Sequence, residues 1–321
     1  MQMFNKTLLA TTIFAATTAN AFADTMLAGD ALKVYGKVNL SVQNSDFAKK
    51  QGNATNYTDE TKVKSNASRL GVKGKYKLDG GLEAFYTLEY QVNIDSDDKD
   101  TFTARNQYVG VRGGFGSVSV GRNDTITKKS QGKVDLFNDL DGDIKNLFKG
   151  DNRLSQTVTY VSPSVSGFTF GATYVAEAAM KQGDTNGVSL AAMYGDAKLK
   201  KSKFYAALAY DKDVAGYNVL RATAHTKLGN LKLGAMFQQQ ESTDEGSKST
   251  NGYLVSAAYS MDSITFKVQA QDMDDKGKSW SAGADYKLAK PTKVFAFFTN
   301  RKFDGIDHDD QYVGVGIEHK F

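Results

Sequence analysis

The stretch Leu82-Glu83-Ala84-Phe85-Tyr86-Thr87-Leu88-Glu89-Tyr90-Gln91-Val92-Asn93-Ile94 alternates apolar and polar residues with a period of two. Successive side chains of a β-strand point to opposite faces. Leu82, Ala84, Tyr86, Leu88, Tyr90, Val92 and Ile94 therefore share one surface, and Glu83, Thr87, Glu89, Gln91 and Asn93 share the other. Phe85 is the one apolar residue on the polar face. The same pattern occupies residues 34–43, where Val34, Gly36, Val38, Leu40 and Val42 oppose Tyr35, Lys37, Asn39, Ser41 and Gln43.

Working outward, the alternation recurs at 33–44, 64–79, 82–94, 102–114, 117–123, 153–162, 168–177, 187–195, 202–212, 217–228, 231–240, 251–260, 263–272, 278–288, 292–303 and 310–321, sixteen segments in all. The connections alternate too. Short turns at 79–81, 114–116, 163–164, 229–230, 261–262 and 289–291 exchange with longer polar loops at 45–62, 95–101, 124–152, 178–186, 241–250 and 305–309. Long loops on one rim and short turns on the other are the plan of an outer-membrane barrel. Both prolines, Pro163 and Pro291, fall in short turns, where no ladder donor is lost.

Spanning strands of about 9–11 residues, taken sixteen times, need on the order of 160 residues, which the chain supplies with ample loop to spare. A wet interior explains a mean hydropathy of −0.43. Tyr76, Tyr86, Tyr90, Tyr108, Tyr160, Tyr253 and Tyr259 are expected at the membrane–water interface. The expected fold is all-β: a transmembrane antiparallel barrel of sixteen strands. A soluble β-sandwich also alternates, but the strand count, the single long loop 124–152 and the aromatic Phe321 as the last residue favour the barrel.

Composition narrows the function. No run of 18 apolar residues exists, so no transmembrane helix is expected. The net charge of +4 is small and spread along the chain, unlike the concentrated basic stripe of a nucleic-acid binder. Cysteine is absent, which removes thiol chemistry and most zinc sites. Residues 1–23 run from Lys6 through an apolar stretch to Ala21-Phe22-Ala23, the order of a cleaved export signal, leaving 24–321 as one domain. The only histidines are His225, His308 and His319, none in a catalytic motif, so an enzyme is not expected. Asp304, Asp307, Asp309 and Asp310 supply hard-cation ligand types, with a plain solvated acidic loop as the simpler account. No cofactor is expected.

Val34-Tyr35-Gly36-Lys37-Val38, Ser68-Arg69-Leu70-Gly71-Val72-Lys73-Gly74, Tyr108-Val109-Gly110-Val111, Ser119-Val120-Gly121-Arg122-Asn123-Asp124 and the aromatic C-terminus resemble the general, non-specific trimeric porins of Gram-negative bacteria. The similarity is strongest from residue 33 to about 175. It implies a homotrimer of sixteen-stranded barrels in the outer membrane, in contact with lipid and lipopolysaccharide. It also implies a third loop, here 124–152, folded into the pore as a constriction for ions and small polar solutes. On that pattern Lys37, Arg69, Arg105 and Arg153 form a basic wall, and Asp135 and Asp139 are the best-matching loop acids, with Asp141 and Asp143 as lesser ones. All four basic residues fall on the polar face of their own strands by alternation. Phe321 matches the residue read by the barrel-assembly machinery.

Arg122 shares a face with Val118 and Val120, where an unpaired arginine facing lipid costs about 2–4 kcal/mol. It is expected to meet a second loop from a neighbouring subunit, through Asp97 and Asp98 among the acids of 95–101. Two other readings remain. A substrate-specific channel would carry an aromatic slide, whereas the only tryptophan is Trp280. An adhesin or receptor role would rest on the surface loops.

Overall fold

A computed structural model describes residues 31–51, 54–97, 99–177 and 186–321. The expected export signal and Asp98 lie outside these residues. The alternating segments become β1 (Lys33–Gln51), β2 (Ala54–Ser65), β3 (Arg69–Lys77), β4 (Glu83–Val92), β5 (Phe102–Gly113), β6 (Gly116–Asp124), β7 (Arg153–Val161), β8 (Phe168–Val175) and β9 (Gly187–Gly195). They continue as β10 (Phe204–Val214), β11 (Tyr217–Leu228), β12 (Leu231–Ser242), β13 (Thr250–Met261), β14 (Ile264–Met273), β15 (Gly277–Lys287), β16 (Thr292–Phe303) and β17 (Asp309–Lys320). Every neighbouring pair is antiparallel, and β17 returns to β1 through a register running from Lys37↔Lys320 to Asp46↔Gln311. Closure leaves no raw edge, which lipid requires because it offers backbone groups no hydrogen bonds.

β2 and β3 are one stave. β1 pairs with β2 from Gln51↔Ala54 to Leu40↔Ser65 and then with β3 from Lys37↔Arg69. Between them a bulge at Asn66, Ala67 and Ser68 puts Ala67 at φ 53°. It is pinned by the Asn66 amide donating to Ser41 Oγ at 2.9 Å and by Asn39 N–H donating to Ser68 Oγ at 3.0 Å. Merging the two gives the sixteen staves that the alternation predicts. The polar loop expected at 45–62 is instead a β-hairpin, the far ends of β1 and β2. β1 pairs with β17 only as far as Asp46, and beyond it the hairpin rests on the start of β17 and the turn before it, with Ala48 N–H donating to Asp310 at 3.0 Å and the Tyr57 ring edge-on to His308 at 5.4 Å. Residues 47–58 are mostly polar, so the alternation that marks a lipid-facing stave is missing there.

The burial pattern is inverted relative to a water-soluble protein. Gln43 and Thr299 are buried inside, while Val42, Leu208 and Val255 stand more than half exposed outside. Such a continuous apolar surface needs lipid against it. Outward aromatics gather near the turn rim (Tyr76, Phe115, Tyr160, Phe168, Tyr259) and near the opposite rim (Tyr174, Tyr210, Tyr253, Trp280), as interfacial girdles do. Tyr108 is not among them. It pairs with Thr87 on the inner face, because Val109 and Val111 take the outer one.

Candidate functional site

Residues 125–152 leave β6 and return to β7 along the inner wall. The segment opens with the short helix α1 (Ile126–Ser130), capped by Thr125, whose side chain accepts from Lys128 N–H. It ends near a 3-10 turn at Ile144–Asn146, capped by Asp143. One side of the segment is apolar and packs on the wall. Val134, Ile144, Leu147 and Phe148 join Met236, Leu254 and Met273; Phe137 joins Phe295, Phe297 and Tyr312; Ile126 joins Ala191 and Ala209. The receiving wall has glycines where these side chains press closest. A Cβ added at Gly171 would come within 2.3 Å of Ile126, at Gly252 within 2.7 Å of Phe148, and at Gly234 within 2.8 Å of Val134.

Polar wall residues satisfy the segment's backbone, which would otherwise be buried unpaired. Ser256 Oγ donates to the Val134 carbonyl at 2.6 Å, and Gln269 accepts from Leu136 N–H at 2.8 Å while donating to the Gly142 carbonyl at 3.0 Å. Arg221 donates to the Lys149 carbonyl at 2.6 Å, and Tyr205 to the Ser130 carbonyl at 2.8 Å.

The other side of the segment is anionic and meets the basic wall. One Asp139 oxygen lies 2.8 Å from Lys37 Nζ and 2.8 Å from Arg69 Nη2. Asp141 accepts from Lys64 Nζ at 2.8 Å, and its carbonyl accepts from Arg301 at 3.3 Å. Asp139 sits at φ 71°, a left-handed conformation that aspartate tolerates better than most residues. Its N–H donates to Asp143 Oδ2 at 3.0 Å, which holds that turn. Burial alone would raise the Asp139 pKa, but the Lys37 and Arg69 charges hold its carboxyl below the ordinary value.

Asp135 is placed differently from the expectation. It has no cationic partner among the described residues. Its two oxygens accept from Phe137 N–H at 2.9 Å and Ile144 N–H at 3.1 Å, so it ties the loop to itself. Burial, with the Asp143 charge beside it, pushes its carboxyl up to about 7. Arg105 pairs with Glu89 at 2.7 Å, and Arg153 with Asp124 at 2.9 Å at the root of the segment. Neither is ion-paired with Asp139, although the Arg105 charge adds to those that hold that carboxyl down. Arg122 points outward and donates to the Ala104 carbonyl at 3.3 Å; Asp97 is exposed. Phe321 exchanges backbone hydrogen bonds with Gly36 at 3.0 and 3.2 Å, and its ring lies where a Cβ on Gly36 would be.

Lys64, Asp141 as a wall partner and Arg301 were not singled out from sequence as a set. Lys64 opened an alternating segment without distinction, and nothing local marks Arg301. Among the described residues no group of three or more His, Cys, Asp or Glu could hold a metal ion; Asp310 instead pairs with Arg301, and Asp309 with Lys302.

This geometry can be set beside known proteins. Residues 10–306 match the family model described as Gram-negative porin. The major outer membrane protein P.IB of Neisseria meningitidis serogroup B is 26% identical over 352 residues, covering 98% of this chain and 99% of that protein. A monosaccharide porin of a Halomonas species is 25% identical over 281 residues, covering 79% of this chain and 75% of that one. Among solved structures, the anion-selective porin from Comamonas acidovorans aligns with a TM-score of 0.71 at 20% identity, covering 91% of this chain and 99% of that one. The trimer form of OmpT from Vibrio cholerae aligns with a TM-score of 0.60 at 17% identity, covering 91% of this chain and 99% of that one. A closed antiparallel barrel with a lipid-seeking exterior and a polar interior, matched over nearly its whole length by one family, identifies the chain as a member of the Gram-negative porin family, a channel protein of the outer membrane.

Proposed function

We propose that the protein is a passive diffusion channel for ions and small hydrophilic solutes, narrowed where Asp139 and Asp141 face Lys37, Lys64 and Arg69. The observation that carries this reading is the Asp139 carboxylate held 2.8 Å from each of two wall cations. Charged groups that border a narrow aqueous passage set up a field within it. Polar solutes orient in it, whereas apolar ones must displace oriented water. No covalent step is involved. Wall carboxylates join the loop acids in offsetting the wall cations, with Glu318 lying 3.7 Å from Lys37 and Glu89 2.7 Å from Arg105. Planar-bilayer recording of the purified protein tests both parts. Ohmic conductance is expected, with a reversal potential under a salt gradient that charge reversal at Arg69 or Asp139 displaces; no conductance at all refutes the channel.

In this reading residues 1–23 are removed on export, and Phe321 carries the signal read by the barrel-assembly machinery. Three barrels associate in the lipopolysaccharide-bearing membrane, as in the solved OmpT trimer form. Arg122 then finds carboxylates of an adjacent subunit's second loop, Asp97 and Asp98 being the candidates. Melting of the trimer in detergent tests this contact. Arg122→Ala should lower the midpoint by a few degrees, and an unchanged midpoint removes Arg122 from the interface.

A further inference from the structure

The inner wall holds a second charged region away from residues 125–152. At the turn-rim end of β1, β3, β4 and β5 lies a cavity of 380 Å³ lined by Lys33, Lys73, Lys75, Arg112, Phe85 and Tyr108, together with Thr87 and adjoining backbone. The register explains the clustering. Lys33↔Lys73, Lys73↔Thr87 and Thr87↔Tyr108 form one row across four strands, and Lys75↔Phe85 begins the next. Residues in such a row share a face, with strands about 4.8 Å apart.

Its charge is only partly compensated. Glu83 lies 3.9 Å from Lys75 and also pairs with Arg112. Lys33 and Lys73 have no carboxylate partner among the described residues. Lys73 Nζ instead stands 4.7 Å above the Tyr35 ring, and the Arg112 guanidinium 5.5 Å from the Phe85 ring. Phe85 and Tyr108 meet edge to face at 6.2 Å. Most other inward aromatics are covered: Phe295, Phe297 and Tyr312 lie under Phe137, and Tyr205 is bonded to Ser130. Phe85 and Tyr108 are half-buried and reach the lumen.

We infer that this region is a binding site for an organic anion carrying an aromatic ring, with the carboxylates of such a solute on Lys33 and Lys73 and its ring against Phe85 and Tyr108. Cations supply attraction that any anion shares. The aromatic pair adds a preference for a planar ring over a saturated one, since ring–ring contacts favour edge and offset geometries that a puckered ring does not offer. The site lies on the path through the barrel, so an occupant interrupts current. The inference rests on the channel reading, and open conductance in chloride checks that reading separately.

The test is current block in a planar bilayer by phthalate, with cyclohexane-1,2-dicarboxylate as the saturated control of equal charge. Phthalate added on the short-turn side should block at lower concentration than the control. Phe85→Leu should weaken phthalate block roughly three- to tenfold and leave the control unchanged. Lys73→Gln should weaken both. Retention of an open, quiet channel in chloride by these variants shows that the barrel is intact, even where loss of the Lys73 charge alters the conductance itself. Equal block by the two dicarboxylates, or phthalate block indifferent to both substitutions in a conducting channel, overturns the inference.

Discussion

Two walls of the same barrel meet the same loop in opposite ways. The wall from β8 to β17 receives residues 125–152 through apolar contact and backbone capping: Phe137 among Phe295, Phe297 and Tyr312, Phe148 over Gly252, and Gln269 on the chain itself. The wall from β1 to β3 meets it through charge, with Lys37 and Arg69 on Asp139 and Lys64 on Asp141. Burial of apolar groups is largely insensitive to solutes and salt, and it fixes position. The ion pairs are largely buried, so their attraction is offset by the cost of desolvating both partners, and they add little to anchoring while carrying the loop's charge. One wall holds the loop; the other makes it an electrostatic device.

Substitutions that separate the two roles should differ in kind as well as size. The largest effect is expected from Phe137→Ala. Emptying a fully buried phenylalanine site costs about 3–5 kcal/mol, enough to free the loop. Single-channel current should become larger or strongly noisy; a quiet, unchanged current would break the division of roles. Gly171→Val should act in the same direction by driving a side chain into Ile126. Arg69→Glu should leave the current quiet but shift the reversal potential toward cations, and no shift would remove Arg69 from the path.

Asp135→Asn should act through pH. Its carboxyl titrates near 7 in the folded loop, above its ordinary value, so the folded state holds a proton that the unfolded chain has lost. That group's stabilisation is fully present at pH 4 and below and is lost as pH rises toward and through 7. Loop fluctuation, read as open-channel noise, should therefore grow from pH 4 to 8 in the parent and change less in Asp135→Asn. The smallest effect is expected from Lys64→Ala, a part-exposed partner, with a modest change in conductance and none in thermal stability.

The sixteen staves were legible because each needs one face for lipid and one for water, and that contrast is written locally every second residue. The hairpin at the ends of β1 and β2 was not legible, since beyond the lipid-facing staves its strands need no alternation of apolar and polar residues. The basic residues Lys37 and Arg69 could be assigned a face by alternation, yet their meeting on one oxygen of Asp139 depends on a loop turn held by Asp143. Asp135 and Asp139 look alike in sequence. Only the fold of the loop turns one inward to its own backbone and the other toward the wall. The glycines under the loop were equally silent, because what fills the space above Gly252 is Phe148, far away in the chain. Phe85 was visible as an exception, and its meaning came only when the register set it beside Lys75 and near Tyr108.

The seam between β1 and β17 has a kinetic consequence. Gly36 and Phe321 exchange hydrogen bonds across almost the entire length of the polypeptide. No earlier pairing can substitute for that join, and contacts between such distant residues are slow to form. Until β17 has emerged, β1 and the growing end both present open ladders able to capture foreign strands. The molecule must therefore be kept extended and shielded through export, and its final zipping is an event of the membrane rather than of synthesis.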